Sequence, residues 1–220
     1  DPAANSATTA AISASPPPIL RPAMNNSIAA GIFIGIGGSV FLAIENKVVG
    51  AIFFTVALLC ICQLDLMLYT GKIGFLAFDH SGTEIRNTAV CLAGNCVGTG
   101  IAGMAIRYSR PQVIERAVSL TEGKIATPLG KIFVTAVFCG ILMYAAVRIY
   151  REKKSVTGIL FCVPVFILAG FEHSIADMFY AWTALTGGGR TVVMLAVVVL
   201  GNTVGGLLVP VLKRIAGDKA

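Results

Sequence analysis

Six apolar stretches of the chain contain no Asp, Glu, Lys or Arg: 24–44, 48–64, 87–106, 132–147, 155–171 and 191–212. A helix crossing the hydrocarbon of a bilayer needs about 20 apolar residues, within a range of roughly 17–25. The first, third and sixth stretches reach that length comfortably. The other three are short, so they are expected either to extend into their polar flanks or to be broken. Core helices of a large soluble α protein can be as apolar, but six of them in 220 residues leave too little polar chain to make a soluble surface. The pattern therefore predicts an all-α membrane protein with six transmembrane helices and both termini on one side.

The polar interruptions of this pattern come in two matching sets. The first is "LDLMLYTGKIGF" (64–75) and the second is "GFEHSIADMF" (170–179), which places Glu172, His173 and Asp177 within six residues beside an apolar run. Each is followed, inside a later span, by Gly-Asn-x-Val-Gly: "GNCVG" (94–98) and "GNTVG" (201–205). Thr70 lies 25 residues before Asn95, and His173 lies 29 residues before Asn202. Spans one to three and four to six thus read as two copies of one unit. With three spans per copy, the second copy enters the membrane from the opposite side. Such inverted repeats carry substrate sites at their interface, where helices are broken, here the second and the fifth. Irregular backbone at membrane depth is tolerated only if it is buried in protein or lines a cavity. Small residues four apart let helices approach closely, and a buried asparagine can bond the carbonyls of a broken segment beside it. For Asn95 and Asn202, helix packing and the lining of a pathway both remain open readings.

Composition sharpens the class. Hydrophobic residues make up 56% of the chain and charged residues 13%, against roughly 25% charged in an ordinary soluble domain. Lys and Arg in short loops orient a membrane protein. The densest cluster, "RIYREKK" (148–154), places the N- and C-termini in the cytoplasm, with Lys47, Arg107, Arg110, Arg116, Lys124, Lys131 and Arg190 on the outer side of an inner or plasma membrane. The formal net charge of +6 is then a matter of topology and contact with membrane lipid, and no nucleic-acid partner is expected. The six cysteines all fall in the apolar spans. They lack companion ligands at metal spacing, so they read as apolar filler, and no cofactor is expected. Residues 1–23, rich in Ala, Ser, Thr and Pro, lack the form of a signal peptide and read as an unstructured or trimmed segment. The channel domain is expected at 24–214, and a cytoplasmic tail at 215–220.

Isolated ionisable groups in a membrane cost roughly 2.5–3.5 kcal/mol each on insertion scales, so they persist where they pair or face a cavity. His173 is the one such side chain whose charge changes near neutral pH. A packed histidine bonded to a carbonyl is the competing reading; Glu172 beside it and the repeat symmetry favour function. Lys124, in "TEGKIATPLGKIF", and Thr70, before Gly71, have ordinary loop and turn readings from spacing alone.

These elements resemble one family. "GFEHSIADMF" closely resembles the F-E-H-S-I-A-N-M signature of the formate/nitrite transporter family, and "LYTGK" resembles the element of its broken second helix. "GNCVG" and "GNTVG" resemble its third- and sixth-span motifs, and the run from Lys124 to Cys139 resembles the approach to its fourth span. The resemblance covers about residues 24–214. It implies homopentamers of aquaporin-like protomers, each moving small monovalent anions or their conjugate acids: formate, nitrite or hydrosulfide. It further implies that His173 is the central pore histidine, Thr70 its hydroxyl partner and Lys124 the lysine that draws anions inward. By the same resemblance Phe54, Leu58 and Phe166 form an outer constriction, Leu68 and Tyr69 part of an inner slit, and Asn202 a polar lining. Asp177 and Gly140 stand where the family pattern has asparagines.

Desolvating a charge costs far more than desolvating the neutral acid, so the expected mechanism gathers an anion at Lys124 and exchanges a proton at His173. A passive neutral-solute pore of aquaporin type is the alternative, though no "NPA" occurs in the chain. A non-transporting scaffold is a third possibility. An enzyme is not expected, because no nucleophile, metal cluster or cofactor loop accompanies Glu172, His173 and Asp177.

Overall fold

A computed structural model describes residues 20–217, all helix and connecting turns, with no strand among the described residues. Among the described residues, four helices are long and apolar enough to cross a membrane: α1 (Leu20–Ala43), α4 (Gly82–Ser109), α6 (Leu129–Lys153) and α9 (Gly189–Ile215). Between them lie α2 (Lys47–Gln63), the single turn α3 (Tyr69–Lys72) with a 3₁₀ turn Ile73–Ala77, α5 (Ile114–Ala126), α7 (Thr157–Leu168) and α8 (Ser174–Ala184). The segment before Leu20 and the last three residues, including Lys219, lie outside the described residues.

The three short apolar runs behave in two ways. The run 132–147 extends into its basic flanks as α6, while 48–64 and 155–171 stay short, as α2 of 17 residues and α7 of 12. Asn46 starts α2 by accepting from the Val48 and Val49 amides. That satisfies donors a helix N-terminus otherwise leaves unpaired. Large apolar side chains face outward around the bundle, among them Phe53, Phe161 and Val192, as expected where lipid is the solvent.

The two halves make the same contacts. α1 packs along α4 as α6 packs along α9; α1 meets α2 as α6 meets α7; and α2 meets α7 between them. α8 lies against α4 as the 3₁₀ turn lies against α9. The Gly-Asn motifs set these crossings. A Cβ on Gly98 would lie 2.9 Å from Gly31 Cα of α1, and one on Gly205 would lie 3.0 Å from Val137 Cα of α6. Gly140 belongs to the same crossing: its Cβ would lie 2.8 Å from the Gly206 amide nitrogen. A side chain there would push α6 off α9, which accounts for glycine at that position.

Candidate functional site

The asparagines of the two motifs act identically. Asn95 Oδ1 accepts from the Tyr69 amide at 2.8 Å, and its Nδ2 donates to the carbonyls of Ser27 and Met67 at 2.8 and 2.9 Å. Asn202 Oδ1 accepts from the Ser174 amide at 2.8 Å, and its Nδ2 donates to the carbonyls of Ala136 and Glu172, both at 2.8 Å. Each amide ties a broken loop to the long helix of its own half. Both side chains are fully buried, and neither lines the two cavities described next. The clamps also fix which residues correspond: Met67, Leu68 and Tyr69 match Glu172, His173 and Ser174. The counterpart of His173 is therefore Leu68 and not Thr70.

Two cavities approach each other along α2. The first, about 410 Å³, is lined by Lys47, Phe54, Arg116, Lys124, Phe166, His173 and Asp177 among others. The second, about 600 Å³, is lined by Leu58, Ile61, Asp65, Leu68, Lys72, Arg151 and Lys154 among others. Phe54 and Leu58 are one helical turn apart, a rise of about 6 Å. The material between the cavities is dry: Phe54, Leu58, Phe166 and Leu68 are all buried. Phe54 and Phe166 meet edge to face at 6.3 Å between ring centroids, and Phe166 stacks on His173 at 5.3 Å.

His173 caps α8. Its Nδ1 accepts from the Ala176 amide at 3.1 Å, and its Nε2 lies 2.9 Å from Thr70 Oγ1. An Nδ1 that accepts an N–H holds no proton, so in the neutral ring Nε2 carries the hydrogen and donates it to Thr70. The Thr70 hydroxyl keeps its own hydrogen to offer elsewhere. Lys124 reaches from α5 to an ion pair with Glu172 and a second, at 3.1 Å, with Asp177. The lysine read from spacing as a loop residue is thus drawn into a largely buried charge cluster.

The chain is matched by the model of the Formate/nitrite transporter family over residues 8–215. The chain belongs to the formate/nitrite transporter family. Curated relatives from Bacillus subtilis (strain 168) include the uncharacterized transporter YwcJ, 28% identical over 176 residues and covering 69% of each chain. A second is the uncharacterized transporter YrhG, 23% identical over 181 residues, 73% of this chain and 68% of that one. Among solved structures, an FNT family ion channel superposes with a TM-score of 0.80 at 21% identity, over 89% of both chains. A pentameric formate channel with formate bound superposes with a TM-score of 0.75 at 21% identity, over 90% of this chain and 98% of that one. The fold of this formate/nitrite transporter family member is that of those channels, and the family consists of membrane transporters and channels, not enzymes.

His173, Thr70, Phe54 and Phe166 lie together in the buried region between the two cavities. Leu58 was expected beside Phe54 on one side; it lines the second cavity, with Leu68. Tyr69, expected with Leu68 in the inner slit, has its hydroxyl 2.6 Å from Thr203 Oγ1 of α9. Successive residues of an extended segment point in opposite directions, and Leu68 is in that conformation. Glu172 is spent on Lys124 through its side chain and on Asn202 through its carbonyl. Sequence reasoning missed the pairing of Asp177 with Lys124. The signal available was spacing, since Asp177 stands one turn after His173 on α8.

Proposed function

We propose that this chain is a channel or transporter for small monovalent anions or their conjugate weak acids, with formate, nitrite and hydrosulfide as the substrate class. In this reading it works as a homopentamer in the inner or plasma membrane, both termini cytoplasmic. The protomer crosses the bilayer six times as two inverted three-helix repeats, α2 and α7 being completed beyond their breaks by the α3 turn and by α8. The support for the repeat is the duplicated set of helix contacts and asparagine clamps.

The observation that carries the function is the pair of cavities, both holding basic side chains, separated by a short apolar barrier with one imidazole and one hydroxyl at its edge. Basic groups at the mouths raise the local concentration of anions. The barrier opposes a bare charge, because an ion in low dielectric without partners is far costlier than a neutral acid. Lys124 holds the anion in the outer cavity, and the His173–Thr70 pair exchanges the proton at the centre. Thr70, fed by the imidazole Nε2–H, donates to the anion. For His173 to take a second proton on Nδ1, the Ala176 amide must let go, so central protonation is coupled to loosening the first turn of α8.

The test is stopped-flow uptake into proteoliposomes of formate, nitrite, hydrosulfide and lactate at two pH values, with His173→Phe alongside. Flux of one anion should rise as pH falls and drop by at least about tenfold in the variant, as for loss of a positioned proton-transfer group. Equal flux in the variant removes the proton role from His173. Swelling driven by glycerol or water with no anion flux supports the aquaporin-type pore instead.

A further inference from the structure

Lys124 is a single ammonium between two carboxyl groups. Glu172 Oε2 and Asp177 Oδ1 both reach it, and the side chains of Lys124, Glu172 and Asp177 are 15%, 9% and 2% exposed. The second oxygen of Asp177, Oδ2, is buried without a hydrogen-bond partner, and Asp177 stands on the wall of the first cavity. With both carboxyls ionised this cluster carries one net negative charge, and with one proton it is neutral. An asparagine at 177 would leave a balanced pair with no proton needed.

Among the described residues, the surroundings do not supply the missing positive charge at depth. Lys47 is exposed at the mouth of the cavity, and Arg116 of α5 donates to the Ile44 carbonyl. α1 contributes only Phe41 and Leu42 to the lining. Arg107 of α4 is spent on the carbonyls of Thr183 and Ala184 at the far end of α8. The remaining titratable neighbours are the Cys139 thiol of α6, the Tyr180 phenol of α8 and His173, whose two ring nitrogens are engaged by Ala176 and Thr70.

We propose that Asp177 and Glu172 share one proton beside the Lys124 ammonium, and that the cavity binds a monovalent anion only with that proton in place, so anion and proton enter together. Two carboxyls facing one ammonium leave this largely buried cluster one negative charge in excess, and one shared proton on the unpartnered oxygen cancels it. With the proton absent, an arriving anion meets a net negative cluster. With the proton on the free oxygen of Asp177, it meets a neutral cluster that offers an O–H donor and part of the Lys124 ammonium. The inference rests on the anion-channel reading and adds to it where the proton is held before an anion reaches the barrier.

The experiment uses the full chain in detergent in weakly buffered solution, with nitrate as the probe because it stays ionised throughout. Nitrate addition should draw about one proton from solution per anion bound, read by a pH indicator. Its affinity should fall by about tenfold per pH unit on the alkaline side of the cluster's titration. Asp177→Asn should bind nitrate without proton uptake and with an affinity flat in pH; Glu172→Gln, which leaves Asp177 paired with Lys124, should do the same and serves if the first variant does not fold. Nitrate binding by the unaltered chain without proton uptake, no binding at any pH, or undiminished uptake in both variants would each overturn the proposal. Formate flux in proteoliposomes separates the two readings. Linked proton uptake without flux sinks the channel reading and leaves only the proton-coupled anion binding at this cluster, while flux without linked uptake sinks only this inference.

Discussion

The loop between α2 and α3 presents Met67, Leu68 and Tyr69 to Asn95; the loop between α7 and α8 presents Glu172, His173 and Ser174 to Asn202. The hydrogen bonds are the same three in each case. The side chains are not. One loop puts leucine at the barrier and closes it with apolar bulk, while the other puts histidine there and a carboxylate beside it, paired to Lys124. The backbone plan is common because both halves face one requirement: a broken helix frees polar groups that lipid cannot satisfy. The chemistry differs because a second polar side chain at this depth would add another buried polar group to satisfy.

Three pairs of substitutions break or sharpen this comparison. The largest effect is expected at the helix crossings. Gly98→Val and Gly205→Val each drive a side chain into the facing backbone, and both should abolish folded, monodisperse protein on size-exclusion chromatography in detergent. A well-folded Gly205→Val would show that the two crossings are not equivalent.

Next come the clamps. Asn95→Ala and Asn202→Ala each strip three hydrogen bonds from buried backbone, and an unsatisfied buried group costs about 1–3 kcal/mol. Both should lower the melting temperature in detergent by several degrees, Asn202→Ala more so. The Met67 carbonyl keeps a second donor in the Cys91 thiol, at 3.2 Å. Flux should fall further in Asn202→Ala, because that clamp holds the loop carrying His173. Equal losses of flux would mean that the polar loop is positioned by something other than its asparagine.

The smallest effects separate the two neighbours on α3. Thr70→Val removes the partner of His173 Nε2 and should cut flux by about tenfold with a stability change of about 1 kcal/mol. Tyr69→Phe removes only the bond to Thr203 and should leave flux unchanged, with a similar small loss of stability. A flux defect in Tyr69→Phe would return Tyr69 to the pathway.

The sequence by itself determined the membrane class, the six apolar runs, the two that break, and the residues at the breaks. These follow from one-dimensional constraints: the thickness of the hydrocarbon sets run length, and the cost of polar groups in it makes Glu172, His173 and Asp177 conspicuous. It also showed the repeated Gly-Asn pattern, but with Thr70 set against His173, because loop lengths differ between the halves and spacing alone cannot align them. Only the tertiary structure decided that Leu68 is the true counterpart, that Leu58 lines the second cavity, and that Asn95 and Asn202 each bond the backbone of a broken loop. It likewise brought Lys124 from a separate amphipathic helix to two carboxyls on the second broken element. Each of these is set by which way a side chain points across a helix–helix contact, and direction across a contact between distant segments is not written in the order of residues along either one.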